Sequence, residues 1–247
     1  MSYDIESFGI SDLGLARENN EDVFHEIPIH RFFVLADGMG GHNAGEIAAK
    51  EAVHHLSTSI CQRFSSEDKT ADSPSLPEFL RKAILNANSW VHQLSEQKKE
   101  FYGMGTTLCC LLLHQEALIY AHVGDSRIYR FREGLSKITQ DHSPSEDTKN
   151  ATHQIGKHII TRAIGTNPLV EPEINTTSVL PGDIYFLCSD GLTDYVSDEE
   201  ISTILNKHTC IKSASTHMIE HAKAKGGGDN ITILMIRVLN NAKNLSR

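Results

Sequence analysis

The 247-residue chain has no long basic block and carries a formal net charge of −9. Nucleic-acid binders draw most of their affinity from cationic patches, so that class is set aside. Long apolar runs are missing too: the longest, residues 108–113, is far short of the roughly 20 residues that cross a bilayer. The opening Met-Ser-Tyr-Asp-Ile-Glu has no basic stretch before an apolar core, so no secretory signal is expected and the cytoplasm is the expected compartment. The five cysteines (Cys61, Cys109, Cys110, Cys188 and Cys210) are odd in number and form no C-x-x-C pair and no zinc-ligand spacing. They read as small buried hydrophobes, not as disulfides or a zinc ribbon. There is no G-x-G-x-x-G segment, which stands against a dinucleotide-binding fold. At 39% hydrophobic and 22% charged residues, the composition is that of an ordinary globular chain.

Periodicity supplies the elements. Residues 3–10 alternate loosely and predict a strand, and the aromatic run 31–36 predicts a buried one. Helical spacing predicts helices over 44–64 and 80–94, with a polar loop over 65–77. Short apolar runs predict strands at 106–113, 117–122, 127–132 and 135–139, the last two joined by a Glu133-Gly134 turn. A surface loop is expected over 141–157, then strands at 158–163, 174–179 and 183–188, helices at 198–206 and 214–224, and a closing strand at 231–239. Strands that follow one another through short turns pair antiparallel. The expected fold is α+β: two stacked antiparallel sheets, each covered on its outer face by a helix pair. One domain is expected over 1–240, with a short polar tail over 241–247.

Four acidic residues share one local context, a carboxylate beside an apolar run and a turn. They are Asp37 and Asp190, each followed by glycine, Asp125 in Gly-Asp-Ser, and Asp229 in Gly-Gly-Asp-Asn. Carboxylates at strand ends converge on one rim of a sheet, and oxygen ligands suit hard ions such as Mg²⁺ or Mn²⁺. A pair of such ions roughly 4 Å apart can acidify a bridging water and clamp a phosphoryl group. The negative net charge fits, because two divalent ions add four positive charges at one spot. A single Asp-Gly is ordinarily a turn, and Asp-Ser or Asp-Asn ordinarily a cap. Four together point to a metal site, while spacing alone leaves the reaction open.

Eight segments carry a resemblance. They are Ser11-Asp12-x-Gly14-x-x-Arg17-x-x-Asn20-Glu21-Asp22, Asp37-Gly-Met-Gly-Gly41, Met104-Gly-Thr-Thr107, Gly124-Asp-Ser-Arg127, Asp141-His-Ser143, Thr161-Arg-Ala-Ile-Gly165, Ser189-Asp-Gly-Leu192 and Gly227-Gly-Asp-Asn-Ile-Thr232. In this order the chain resembles the PPM phosphatases, the metal-dependent type 2C class of protein serine/threonine phosphatases, and most of all their compact bacterial members. The resemblance implies two Mn²⁺ or Mg²⁺ ions and a third, weaker one. Asp37 would bridge the pair, with the Gly38 carbonyl, Asp190 and Asp229 as further ligands. Glu21 and Asp22 would hold metal-bound waters or touch a metal, and Asp125 would bind the third ion. Arg17 would grip the substrate phosphate, as a planar guanidinium can.

Three departures qualify this. Glu21 stands where many bacterial members carry Gln. Met39 stands where some eukaryotic members place a histidine acid, which leaves His42 as a candidate proton donor. The 141–160 stretch is shorter than the flap expected there. The implied substrates are phosphorylated proteins, with a partner serine/threonine kinase and its targets; neither a membrane nor a nucleic acid is implied, and a monomer is the default. The alternative is a catalytically silent phosphoprotein-binding scaffold of the same fold. A phosphatase of the sporulation-regulator type is a third reading, disfavoured by Arg17 and the Gly-Asp-Ser-Arg segment.

Overall fold

The computed structural model describes residues 3–40, 44–65, 74–143 and 160–239. The described strands are β1 (Asp4–Asp12), β2 (Asp22–Ile27), β3 (Phe32–Met39), β4 (Gly105–Thr106), β5 (Leu108–His114), β6 (Ala117–Val123), β7 (Arg127–Phe131), β8 (Leu135–Lys137), β9 (Glu173–Ser178), β10 (Ile184–Cys188) and β11 (Ile231–Leu239). The helices are α1 (Ala44–Ser65), α2 (Leu76–Gln97), the single turn α3 (Asp190–Thr193), α4 (Asp198–Lys207) and α5 (Ile211–Ala224). One sheet runs β1-β11-β10-β7-β8, and the other β2-β3-β5-β6-β9 with β4 on β3. Every strand pair is antiparallel, as expected.

Strand alternation sorts the core into three layers. On β3, Phe32, Val34 and Ala36 pack with Ala48, Leu56 and Ile84 of α1 and α2. Phe33 and Leu35 point the other way, against Tyr185, Leu187, Leu234 and Ile236 of the opposite sheet. On β10 and β11, Phe186, Cys188, Ile233 and Met235 pack with Ile201, Met218 and Ile219 of α4 and α5. Central strands buried on both faces read as continuous apolar runs, which is why the sequence shows them as such. The architecture is the expected α/β/β/α sandwich.

Several expectations need correction. Asp22–Ile27 is a strand that the apolar pattern does not announce; His25 and Glu26 interrupt that pattern, and the strand is the edge of its sheet. The single strand expected over 106–113 breaks at Thr107 into β4 and β5. Residues 160–163 form no strand; Ile164 makes only an isolated bridge to Thr106. Helix α2 starts at Leu76, inside the expected loop, because Ser75 and Glu78 form a capping box and Pro77 fits the first turn. His42, most of the flap stretch, the centre of the 65–77 loop and the 241–247 tail lie outside the described residues.

Candidate active site

Antiparallel register sets the first two acids side by side, Asp22 on β2 opposite Asp37 on β3. Asp37 lies inside β3, not at its end, since the strand runs on to Met39 and pairs with β4. Its backbone is gripped on both sides. Thr107 Oγ1 accepts from the Asp37 N–H at 2.9 Å, while Thr106 Oγ1 (2.9 Å) and the Thr107 N–H (2.8 Å) donate to its carbonyl. The Thr107 hydroxyl is itself 2.6 Å from that of Ser126. Beyond Asp37 the chain runs tight against α1: a side chain on Gly38 would strike the Gly45 carbonyl. Gly38 therefore has to be glycine.

The other acids come from the second sheet. Asp190 opens α3 directly after β10, and Asp229 precedes β11. Two side chains tie the sheets together here. Ser189 donates to Asp22 Oδ2 at 2.7 Å and accepts from the Thr232 N–H at 3.0 Å. Asn230 accepts from the Glu21 N–H at 2.9 Å and donates to the Leu13 and Asn19 carbonyls, both at 3.0 Å. The loop after β1 is pinned in this way, and it carries Arg17 and Glu21 to the rim. Arg17, Glu21, Asp37, Gly38, Met39, Ile160, Asp190, Asp194, Tyr195 and Asp229 line one cleft of about 460 Å³. Asp22 is buried beneath it. Asp125 does not line this cleft; it sits between β6 and β7, close enough that its charge raises the Asp37 pKa.

Among the described residues, the cleft is short of positive charge. Desolvation, then the charges of Asp22, Asp190, Asp229 and Asp125, push the Asp37 carboxyl well above the usual range. Asp37 keeps some surface open to the cleft, yet protein atoms crowd its carboxyl. Burial lifts Asp22 to about 6 despite hydrogen bonds that oppose it, and burial also raises Glu21. Arg17 is the one arginine or lysine among the described cleft residues. Its Nη2 donates to Asp229 at 2.7 Å, so the expected phosphate grip here pairs an acid of the same cleft. Asp22 Oδ1 is buried with no hydrogen-bond partner, an oxygen left over in a structure where such atoms are rare.

This frame matches known proteins. The protein phosphatase 2C family matches residues 17–225. The chain belongs to the protein phosphatase 2C family. A 2C-type putative protein phosphatase of Streptococcus pyogenes is 34% identical over 238 residues, covering 92% of this chain and 94% of its own. The serine/threonine phosphatase PstP/Ppp of Mycobacterium tuberculosis has the same fold, with a TM-score of 0.82, 33% identity and coverage of 96% and 99%. The catalytic domain of PstP in complex with two manganese ions gives 0.81, 34%, 96% and 99%.

Within this family frame, the structure gathers Arg17, Glu21, Asp22, Asp37, Gly38, Asp190 and Asp229 at one cleft and sets Asp125 beside it. Sequence reasoning assigned no task to Thr106, Thr107, Ser126, Ser189, Asn230 or Tyr195. The first five lie within the motif segments, which is the available signal; their hydrogen bonds to residues distant in sequence are not readable from it. Tyr195 gave no signal. Its hydroxyl accepts from the Gly228 N–H at 2.9 Å and holds the turn before Asp229.

Proposed function

We propose that this protein is a metal-dependent serine/threonine phosphatase that removes phosphate from phosphoserine and phosphothreonine of cellular proteins, reversing a partner kinase in the cytoplasm. The observation that carries this reading is the carboxylate cluster drawn from both sheets, with its raised pKa values, a single cation among the described lining residues and the leftover Asp22 oxygen. A set of oxygen donors with uncompensated negative charge fits hard divalent ions such as Mn²⁺ or Mg²⁺. In this assignment Asp37, the Gly38 carbonyl, Asp190 and Asp229 hold two ions, Glu21 and Asp22 support their waters, and Asp125 serves a third. The ions would neutralise charge on the phosphoryl group and acidify the attacking water.

The chain's own residues do the positioning. Thr106, Thr107 and Ser126 fix the Asp37 backbone, and Ser189 fixes the Asp22 carboxylate across the seam between sheets. Arg17 is half exposed and its pair with Asp229 is open to solvent, so the contact is weak and the guanidinium is free to exchange Asp229 for phosphate oxygens. Met39 lines the cleft but carries no proton to donate, so it cannot serve as the acid for a leaving alkoxide. The scaffold alternative is not favoured, because no acid of the implied set is missing from the sequence and Glu21, Asp37, Asp190 and Asp229 line one cleft.

Hydrolysis of p-nitrophenyl phosphate and of a phosphothreonine peptide, with Mn²⁺, with Mg²⁺ and with excess chelator, tests the proposal alongside Asp190→Ala. Turnover that needs the ion and collapses in the variant is expected. A folded, Mn²⁺-loaded protein inert on both substrates would overturn it.

A further inference from the structure

A second cluster sits away from the cleft lining, where β6, the Asp141-His142-Ser143 segment and the start of β9 meet. Ligand-type atoms of His122, His142 and Glu173 lie within 4.8 Å of one another, the one such trio containing three His, Cys, Asp or Glu side chains among the described residues. The two imidazoles are stacked with centroids 4.6 Å apart, and both are buried. His122 Nε2 donates to the Gln140 carbonyl at 2.8 Å, which fixes the tautomer and leaves Nδ1 with a bare lone pair. That Nδ1 is buried and has no partner. Buried polar atoms are nearly always satisfied, so a neutral nitrogen presented in this way is missing something.

We infer that His122, His142 and Glu173 form a binding site for one borderline divalent ion of the Zn²⁺ class, separate from the acidic cleft. Two imidazoles and a carboxylate suit such an ion and suit Mg²⁺ poorly. A backbone carbonyl on the far nitrogen of His122 is the orienting contact such ligands ordinarily have. Ligand–metal distances near ~2.1 Å in a tetrahedron put ligand atoms about 3.4 Å apart, so the cluster has to close by roughly an ångström. His142 Nε2 now faces Glu173 Oε1 at 3.1 Å, and Nδ1 accepts from the Gly124 N–H at 3.2 Å. Loading the ion moves the His142 proton from Nε2 to Nδ1, with no net proton change, and releases that long bond to Gly124. Arg162 is the competing cation: its Nη1 lies 3.8 Å from Glu173 Oε1 and 3.4 Å from His142 Nε2, and its side chain is partly exposed.

The probe is Co²⁺, added to protein already saturated with Mg²⁺ so that the oxygen-rich cleft is filled, and followed by visible d–d absorption. One equivalent with the intense bands of a four-coordinate nitrogen–oxygen site is expected. His122→Gln abolishes the bands, Glu173→Gln weakens binding at least about tenfold, and His217→Ala, which removes an exposed histidine of α5, leaves them unchanged. Absence of the bands in the Mg²⁺-saturated protein overturns the assignment, as do bands that persist in His122→Gln, undiminished affinity in Glu173→Gln, or bands that vanish in His217→Ala. Glu173 is partly exposed at the start of β9, so if the buried His122 variant fails to fold, undiminished binding by Glu173→Gln overturns it alone. The readout does not depend on phosphate hydrolysis, so its failure is distinct from failure of the phosphatase assignment.

Discussion

Two buried aspartates show opposite chemistry. Asp183, the residue before β10, is fully enclosed, and Arg132 holds it with Nε at 2.6 Å and Nη2 at 2.7 Å. The Leu180 N–H (2.8 Å) and the Tyr185 hydroxyl (2.9 Å) complete its shell. Desolvation alone would raise its pKa, but these contacts outweigh it, and the pKa is lowered. Asp22 is buried to a similar degree, receives Ser189 on one oxygen and nothing on the other, and its pKa rises to about 6. The protein spends its own cation on the first carboxylate and none on the second. Burial by itself does not mark a functional acid; burial without a partner does.

The largest expected effect breaks the comparison on the cleft side. Asp37→Asn should lower turnover at least about 10³-fold, while the chelated variant melts no lower than the chelated wild type, because a repelled charge has gone. At the other site, Asp183→Asn should cost about 2–4 kcal/mol of stability by leaving the Arg132 guanidinium without its carboxylate. Activity per folded molecule should stay near wild type. Denaturant melts and assays run side by side would separate the two; loss of turnover in a folded Asp183→Asn protein would dissolve the distinction. Ser189→Ala should weaken metal affinity or activity about 10–100-fold, measured by Mn²⁺ titration, since Asp22 then keeps no side-chain donor from that position.

The same contrast makes a pH prediction for the chelated protein. Asp183 is depressed in the folded state, so its contribution is present above the unfolded carboxylate value of about 3.9 and is lost as pH falls below it. Asp22 is raised, so the folded state binds more protons and stability declines as pH climbs from about 4 through 6. Stability without metal should therefore peak near pH ~4–5, and calorimetry in chelator would show it. Excess Mn²⁺ should move that peak upward. A chelated protein most stable at neutral pH would contradict the charge deficit. The smallest effect concerns Arg17: Arg17→Ala should change stability by less than about 1 kcal/mol but raise KM for a phosphopeptide.

Much of this was legible in the sequence, and for identifiable reasons. β3, β5, β10 and β11 are apolar on both faces because each lies between another sheet and a helix layer, so their runs stood out. β2 did not, since an edge strand with polar residues has no such signature. The acids were found through the turn residues beside them and through the resemblance. What stayed hidden was support that depends on long-range pairing: Thr107 beneath Asp37, Ser189 across to Asp22, and Asn230 into the loop after β1. The His122–His142–Glu173 trio was hidden likewise, because its members belong to three separate segments.

One pairing sets the order in which the molecule can come into being. β1 lies against β11 along its whole length, Asp4 opposite Leu239 and Asp12 opposite Ile231. During synthesis the partner of β1 is translated more than two hundred residues later, directly after Asp229. Contacts so far apart in sequence close slowly. A nascent chain stopped before residue 229 holds Asp22, Asp37 and Asp190 but has neither the last acid nor Asn230, which ties the loop bearing Arg17. Ribosome-bound intermediates should therefore be inert, and on refolding, activity should be among the last properties to return, after the helical signal.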